Sequence, residues 1–486
     1  MTQVDIDNSW VLVIDQGGHA SRARVLDKDG RTQGYGEISI TARHGADGHI
    51  EYIPEDLLAS LQEAIKQATH NIETQRLRAA AMATQRSNII CWDKNTGQAL
   101  SPIISWQDRR ANQWLALKQE QATVIHARTG LFLSAHYGAS KLHWCLQNIA
   151  AVQQAQKQQT LAWGPMASWL TSQLCRRRGP LVCDAVNASR TLLWSLHQCD
   201  WSNELLRIFD LPAGALPKSV PNQYSFGTLP VNDKTIPLQL VTGDQAAALY
   251  AFGIPRMDTA YITAGTGAFI LNPCGQQPVN AGRLLNSIIL LDKFGPHYAL
   301  EGTVNGAGSA LEHYARHYSL PNYIEKMPEW LQQTVNPPLF LNGFSGLGTP
   351  FMQADFNSRF IGDGDAIHHL VAVIESIVFL LQYNLEYIKQ LNPSLQHIVI
   401  GGGLARFDTF CQRLADLGLA VSRPAQTETT SQGLAFLLDQ DPGIDHDLKY
   451  QAPLENSATF KPQDNPMLKQ RYQEWRKIMT LQLKND

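Results

Sequence analysis

Residues 9–27, SWVLVIDQGGHASRARVLD, are two apolar runs joined by a short polar turn that carries Asp15, Gly17, Gly18 and His19. The flanking runs predict two strands of a hairpin. Two readings of the turn are open. Glycine amides approach a phosphate oxygen with no Cβ in the way, and a carboxylate leaving a buried strand can hold a hydrated Mg²⁺. The same glycines also serve a tight turn and nothing more. The rest of the chain has to decide between the two.

Outward from this hairpin, residues 10–40 predict a meander of about three strands, punctuated by Gly and Asp-Gly turns. An amphipathic helix follows in YIPEDLLASLQEAIKQATHNI, with Leu57, Leu58, Leu61, Ile65 and Ala68 on one face and Glu55 and Asp56 near its start. LRAAAMATQRSNIICWDKNTGQALSPIISWQDRRA reads as a buried strand, a loop, a hairpin turned at Asn95-Thr96-Gly97, and a second loop rich in Trp, Gln, Asp and Arg. Helical segments are expected over roughly 110–215, and LQLVTGDQAAALYAFG predicts a strand entering a helix through Thr242-Gly243-Asp244.

The second half repeats the opening theme. DTAYITAGTGAFILNPCG is again a strand, a Gly-Thr-Gly turn and a return strand. Two such units, each followed by helices, predict two related domains facing one ligand, with the break near Phe252-Gly253-Ile254-Pro255. LQHIVIGGGLARFDTFCQRLADL adds a buried strand, three glycines and a helix. From about 440 the chain turns polar and Pro-bearing before a short charged helix.

A chain of 486 residues exceeds what one hydrophobic core sustains, which also favours two domains. A net charge of −3 lacks the basic excess of a nucleic-acid partner. The most apolar stretch, residues 366–388, is broken by His368, His369, Glu375, Gln382, Asn384 and Glu386, so a long buried helix is expected there and no membrane span. MTQVDIDNSW has no basic segment followed by an apolar one, and seven scattered cysteines form no C-x-x-C pair. A cytoplasmic protein without disulfides is expected.

Several polar residues sit where strands end. Asp244 is placed either as a general base taking a proton from a substrate hydroxyl, or as a helix N-cap before QAAALYAF. Gly265-Thr266-Gly267 and Gly401-Gly402-Gly403 invite the phosphate reading again, and each alone is equally consistent with turn geometry. Arg86, Trp106, Gln107, Asp108 and Arg109 offer hydroxyl-binding donors and an apolar wall, or a surface cluster of charges.

These segments, taken in order, resemble the FGGY carbohydrate kinases, and within them the glycerol kinase branch. The resemblance runs through VIDQGGHASRARVLD, TQRSNIICWDKNTGQALSPIISWQDRRA, VNASRTLLW, CDWSNELLRIFDLP, GDQAAALYAFG, AGTGAFILNPCG, YALEGTVNGAGSALE, GFSGLGTPF, IVIGGGLARFDTF and SRPAQTETTSQGLAF. It implies an α/β fold of two ribonuclease H-like domains of the actin, Hsp70 and sugar-kinase type around a central cleft. Residues 1–252 would carry the acceptor, the first phosphate loop and the base, and residues 253–486 the nucleotide. It further implies ATP and Mg²⁺ as cofactors, a small polyol or sugar as substrate, and a homodimer or homotetramer as in many relatives.

Carried over residue by residue, Asp15 is similar to the Mg-associated acid, with Asp244 as catalytic base and second metal-facing carboxylate. Gly17, Gly18, Ser21 and Arg22 would form the first phosphate loop, and Gly265 and Thr266 the second. Gly308, Glu312, Gly402, Gly403 and Phe407 would lie along the nucleotide. Arg86, Trp106, Gln245 and Phe269 resemble the polyol pocket. The chain also departs from the pattern. Gly18, His19 and Ala20 replace two threonines and a serine, which leaves backbone amides, Ser21 and Arg22 to grip phosphate, with His19 either a further donor or a loop residue pointing at solvent. Ser87 stands in place of a glutamate and His136 in place of a tyrosine. The expected activity is therefore phosphoryl transfer to a polyol or sugar other than glycerol, with glycerol kinase proper as one alternative. The alternative of another class is a nucleotide- or sugar-binding sensor that has lost efficient transfer.

Overall fold

A computed structural model describes residues 10–176, 179–425, 428–440 and 457–485. The N-terminal segment read above therefore lies outside the described residues up to Ser9, as do residues 441–456 of the polar stretch. The first half is built on a six-stranded sheet of β1 (Trp10–Gln16), β2 (Ala20–Leu26), β3 (Thr32–Ser39), β4 (Leu77–Thr84), β5 (Gln223–Val231) and β6 (Lys234–Gly243). β1, β2 and β3 pair antiparallel in sequence, β4 lies parallel to β1, β6 parallel to β4, and β5 closes the edge.

The second half repeats this plan in a seven-stranded sheet. It contains β7 (Thr259–Ala264), β8 (Ala268–Gly275), β9 (Leu285–Asp292), β10 (Gly295–Val304), β11 (His397–Gly401), β12 (Ala420–Arg423) and β13 (Ala458–Phe460). β7 and β8 form the hairpin, β10 adds antiparallel to β8, and β11 and β12 follow parallel on the other side of β7. Both sheets have the ribonuclease H-like order expected from the sequence.

The helices that matter for the site are α1 (Pro54–Thr69), α2 (Met166–Leu174), α3 (Asp244–Leu249), α4 (Gly308–His317), α5 (Ala366–Leu391), α6 (Asp408–Asp416), α7 (Thr429–Asp439) and α8 (Pro466–Asn485). Strand alternation sorts the first sheet into two faces. Leu12, Ile14 and Met82 pack on Leu57, Leu61 and Trp169 of α1 and α2. Val11, Val13, Ala81 and Ala83 face the other way, toward Ala247 of α3 and Leu434 and Leu438 of α7. A helix from the second half thus completes the core of the first.

α5 has the length and hydropathy to cross a membrane, but most of that span is buried inside the second half. Its Asp365 cap accepts from the amides of Ile367 and His368, and its buried Glu375 is paired with Arg413 and Arg471. The helical run expected over 110–215 also holds a strand, Leu161–Pro165, in a separate five-stranded sheet. All five of its residues are buried, so it shows no alternation by which to recognise it. The charged helix near the end is twenty residues long and buries Leu468, Tyr472, Trp475 and Met479.

Candidate active site

The register of the first sheet aligns three strand ends. Asp15 lies opposite Ala83, and Gly243 opposite Thr84, so Asp15, the Gln85-Arg86-Ser87 loop and Asp244 leave three adjacent parallel strands at one edge. Carboxyl ends of parallel strands are where such sheets bind ligands. Arg22 sits across from Asp15 on β2, with its Nη1 3.9 Å from Asp15 Oδ2 and its Nη2 donating to Glu37 at 3.1 Å. Burial, then the neighbouring Asp244 carboxylate, push the Asp15 carboxyl up to about 7 against the pull of Arg22. Burial likewise raises Asp244, opposed by Arg86, the Gln245 amide at 2.8 Å and Arg190. Asp244 opens α3, and its Oδ1 is engaged by the next amide in the chain.

Arg86 crosses directly over Gly243, where a Cβ would lie 2.5 Å from Arg86 Cγ. Its Nη2 donates to Gln245 Oε1 and lies 3.5 Å from Glu301 Oε1, while Nη1 is buried without a hydrogen-bond partner. Ser87 follows with φ +67°, in the left-handed region that a serine rarely occupies, and its Oγ is also buried and unpartnered. Asn88 Oδ1 accepts from the Trp106 amide at 2.8 Å, and the Trp106 ring meets His136 at 5.1 Å. Arg86, Ser87, Trp106, His136, Asp244 and Gln245 therefore form one wall.

On the second sheet the turn between β7 and β8 is held by backbone. Gly265 donates to Gly267 O at 2.9 Å, and Gly308 to Gly265 O at 2.9 Å. The Ser309 amide and hydroxyl both donate to Thr266 O at 3.0 Å. A Cβ on Gly308 would meet Gly265 O at 2.6 Å, and one on Gly402, at φ +93°, would meet Ala264 O at 2.5 Å. The start of α4 and the glycines after β11 are thus pressed against this turn, with the Thr266 side chain exposed beside them. Gly403 follows Gly402 and accepts from Arg406 Nε at 2.8 Å. Glu312 is exposed one turn into α4, 3.9 Å from Arg316, and Phe269 is half-buried on β8 opposite Thr303.

Two placements correct the sequence reading. Ser21 is on the wrong face of β2 for a phosphate donor. It alternates with Arg22, is fully buried, and its Oγ is engaged by Gln16 Oε1 at 2.8 Å and Ser60 Oγ at 2.7 Å beneath α1. Phe407 has its ring in the core of the second half, so only its backbone is left for a nucleotide. In the first turn, Gly17 donates to Ala20 O at 3.1 Å, Gln85 and Tyr52 donate to the carbonyls of Gly17 and Gly18, and His19 is exposed.

The sequence reading also missed a pair that joins the halves. Arg190 donates to both oxygens of Glu301, at 3.0 and 3.2 Å, and to Ser287 at 2.9 Å. Burial alone would raise the Glu301 carboxyl, but Arg190, Arg86 and the Ser287 hydroxyl hold it at about 2. Both residues lie in the stretches VNASRTLLW and YALEGTVNG, each as an isolated charge among small and apolar neighbours. That isolation was the available signal. Lys141, fully buried behind the wall, donates to the carbonyls of His136 at 2.8 Å and Ser87 at 3.4 Å.

Comparison with known proteins places this geometry. Residues 10–250 match the N-terminal domain of the FGGY family of carbohydrate kinases, and residues 260–438 its C-terminal domain. The glycerol kinase of Shewanella amazonensis is 31% identical, over 89% of this chain and 90% of its own. That of Dechloromonas aromatica is 33% identical, over 89% of each. The structure of Plasmodium falciparum glycerol kinase with ADP superposes with a TM-score of 0.87 at 25% identity, over 97% of this chain and 98% of that one. A ligand-bound xylulose kinase from Lactobacillus acidophilus shares the fold, at a TM-score of 0.83 and 20% identity over 97% of each chain. With two matched domains, and carboxylates and glycine turns meeting at the strand ends, the chain belongs to the FGGY family of carbohydrate kinases, ATP-dependent phosphotransferases that act on an alcohol group.

Proposed function

We propose that this kinase transfers the γ-phosphate of ATP to a hydroxyl of a small polyol or sugar other than glycerol, with Asp244 as general base. The observation that carries the reading is Asp244 itself, at a strand end and beside Arg86, with its carboxyl raised by burial. A raised carboxylate accepts a proton more readily at neutral pH. As the acceptor oxygen bonds to the γ-phosphorus, its proton passes to Asp244 and ADP leaves. Asp15 Oδ1 is buried without a hydrogen-bond partner, a donor set that fits Mg²⁺ shared between one or two carboxylates and nucleotide phosphates. Asp15 and Asp244 would hold that ion, which when bound neutralises phosphate charge.

In this reading residues 1–252 present the acceptor and residues 253–486 the nucleotide. Thr266 and the amides around Gly265 and Gly308 face the phosphates, and Gly402 and Gly403 lie along the nucleoside. A cytosolic setting, where MgATP is available, suits the cysteines, all of which are free thiols. Ser87 supports an acceptor other than glycerol, because its short side chain replaces the carboxylate that glycerol kinases place there.

The test is ADP release from MgATP across glycerol, tetritols, pentitols, ketopentoses and hexoses, beside Asp244→Asn. Turnover on one compound, lost in the variant, is the expected result. ATP binding with no turnover on any compound would favour the sensor. That reading draws on the first turn, where His19 is exposed, Ala20 buried and the Ser21 hydroxyl already engaged.

A further inference from the structure

The acceptor wall carries more positive than negative charge. Burial holds the imidazole of the half-buried His136 well below the ordinary range, and Arg190, Arg109, Lys141 and Arg86 press it further down. Three carboxylates oppose these cations. Glu301 is engaged by Arg190, and Asp244 is reserved for the acceptor proton. Among the described residues no carboxylate lies within 4 Å of Lys141 or Arg109. Asp108, the acid that acts on both, already accepts three hydrogen bonds of 2.7–2.9 Å from the Arg110 side chain. Arg109 Nη1 reaches only the carbonyls of Trp106 and Asp108, at 3.0 and 3.2 Å.

Two polar atoms of this wall, Arg86 Nη1 and Ser87 Oγ, and a third in the adjoining Arg190–Glu301 pair, Arg190 Nε, are buried and have no hydrogen-bond partner. Two of them belong to guanidinium groups, which only donate, and an unmet buried donor is costly. A neutral hydroxyl satisfies such a donor. A carboxylate satisfies it and also offsets the surplus charge, with the stronger and often bidentate bonds that Arg forms to anions.

We infer that this pocket selects an anionic acceptor, a short polyhydroxy carboxylic acid, over the neutral polyol of the same length. The inference rests on the kinase reading and deepens it. The carboxylate faces Arg86 and Ser87, while a hydroxyl further along the acid reaches Asp244. There the acceptor O–P bond forms, the bond from the γ-phosphorus to the β-bridging oxygen breaks, and the proton goes to Asp244. Ser87 determines the choice, since a glutamate in its place would supply the missing negative charge and repel the acid. Lys141 stands behind the wall, where burial and then Arg109 hold its amine well below the ordinary lysine range, so the surplus rests on the arginines.

The experiment compares matched pairs, glycerol with glycerate, erythritol with erythronate and xylitol with xylonate, by MgATP-dependent ADP release and by calorimetric binding to the wild-type protein. The expected result is a preference for the acid in at least one pair of about 10- to 100-fold in kcat/KM, the range of a charge-assisted hydrogen bond. Ser87→Glu, with its fold checked by circular dichroism, should abolish that preference by raising KM for the acid. Equal or better turnover of the neutral partner in every pair would overturn the inference and leave the kinase standing. Selective binding of an acid with no ADP released would uphold the pocket's selectivity and remove the kinase reading. Failure of every acid to bind or turn over would overturn the inference.

Discussion

The two glycine turns, one on each sheet, are built on different plans. The turn at Gly265-Thr266-Gly267 is locked by backbone, with Gly308 and Gly402 pressed so close to it that a Cβ at either would stand 2.5–2.6 Å from a carbonyl oxygen. The turn at Gly17-Gly18 is closed by one backbone bond, from Gly17 to Ala20, and is otherwise held by side chains that reach in from elsewhere, Tyr52 and Gln85; a Cβ there would meet nothing nearer than 3.4 Å. Glycine is thus a steric requirement around the second turn and a matter of sequence choice in the first. Under the proposed function, the second turn would fix where phosphate lies and the first would set how firmly it is held.

The sharpest way to test this contrast begins with the chemistry between the turns. Asp244→Asn should lower kcat by about 10²- to 10⁴-fold, the range of a general base, with KM for ATP little changed. ADP release measures it, and a fall in affinity without a fall in kcat would give Asp244 a binding role only. Next comes the Thr266 hydroxyl, exposed on the locked turn. Thr266→Ala should lower kcat/KM for MgATP by about 10- to 100-fold while Tm stays within a degree or two, because the bonds described in the turn use the Thr266 carbonyl and not its side chain.

Gly402→Ala should cost about 1–3 kcal/mol of stability in denaturant unfolding, since it combines φ +93° with the clash against Ala264 O. In the first turn Gly18→Thr should leave stability unchanged and raise kcat/KM for MgATP by about 2- to 5-fold, as one hydroxyl is added where the turn has room. Equal destabilisation by the two would erase the distinction drawn here.

Asp15 makes the same comparison through pH. Its folded carboxyl keeps the proton to about pH 7, whereas an unfolded one loses it near 3.8. Folding therefore takes up a proton between those values, and the contribution of this group to stability falls as pH rises from about 4 to about 7. Asp15→Asn should stabilise the ligand-free protein at pH 8 by on the order of 1–4 kcal/mol, and have little effect at pH 4. A stabilisation independent of pH would show that the carboxylate is not the cause.

The fold was legible because both hairpins announce themselves by apolar runs around glycine turns and because their order repeats along the chain. Asp15, Arg86 and Asp244 were legible as polar residues at strand ends, but by themselves they fitted a plain turn, a surface cluster and a helix N-cap equally, and their expected roles came from the resemblance. Ser21 was misplaced because one position along a strand reverses the face, and a list of neighbouring residues does not carry that parity. Strand Leu161–Pro165 was hidden by burial on both faces. Arg190 and Glu301 were unreadable as a pair, since a contact between residues so far apart in sequence leaves only two separate oddities, each a lone charge in apolar surroundings.

The helix α7 of the second half packs on α3 beside the first sheet, so close that a Cβ on Gly433 would fall 1.7 Å from the carbonyl of Ala247. This fixes an order of events during synthesis. A growing chain that has already emerged through α3 still lacks Leu434 and Leu438 of α7, and the apolar face of Val11, Val13, Ala81 and Ala83 stays incompletely covered until nearly the whole polypeptide has left the ribosome. The first half to be made is therefore the last to be finished, and a chain truncated before residue 429 should leave part of this face exposed and prone to aggregate.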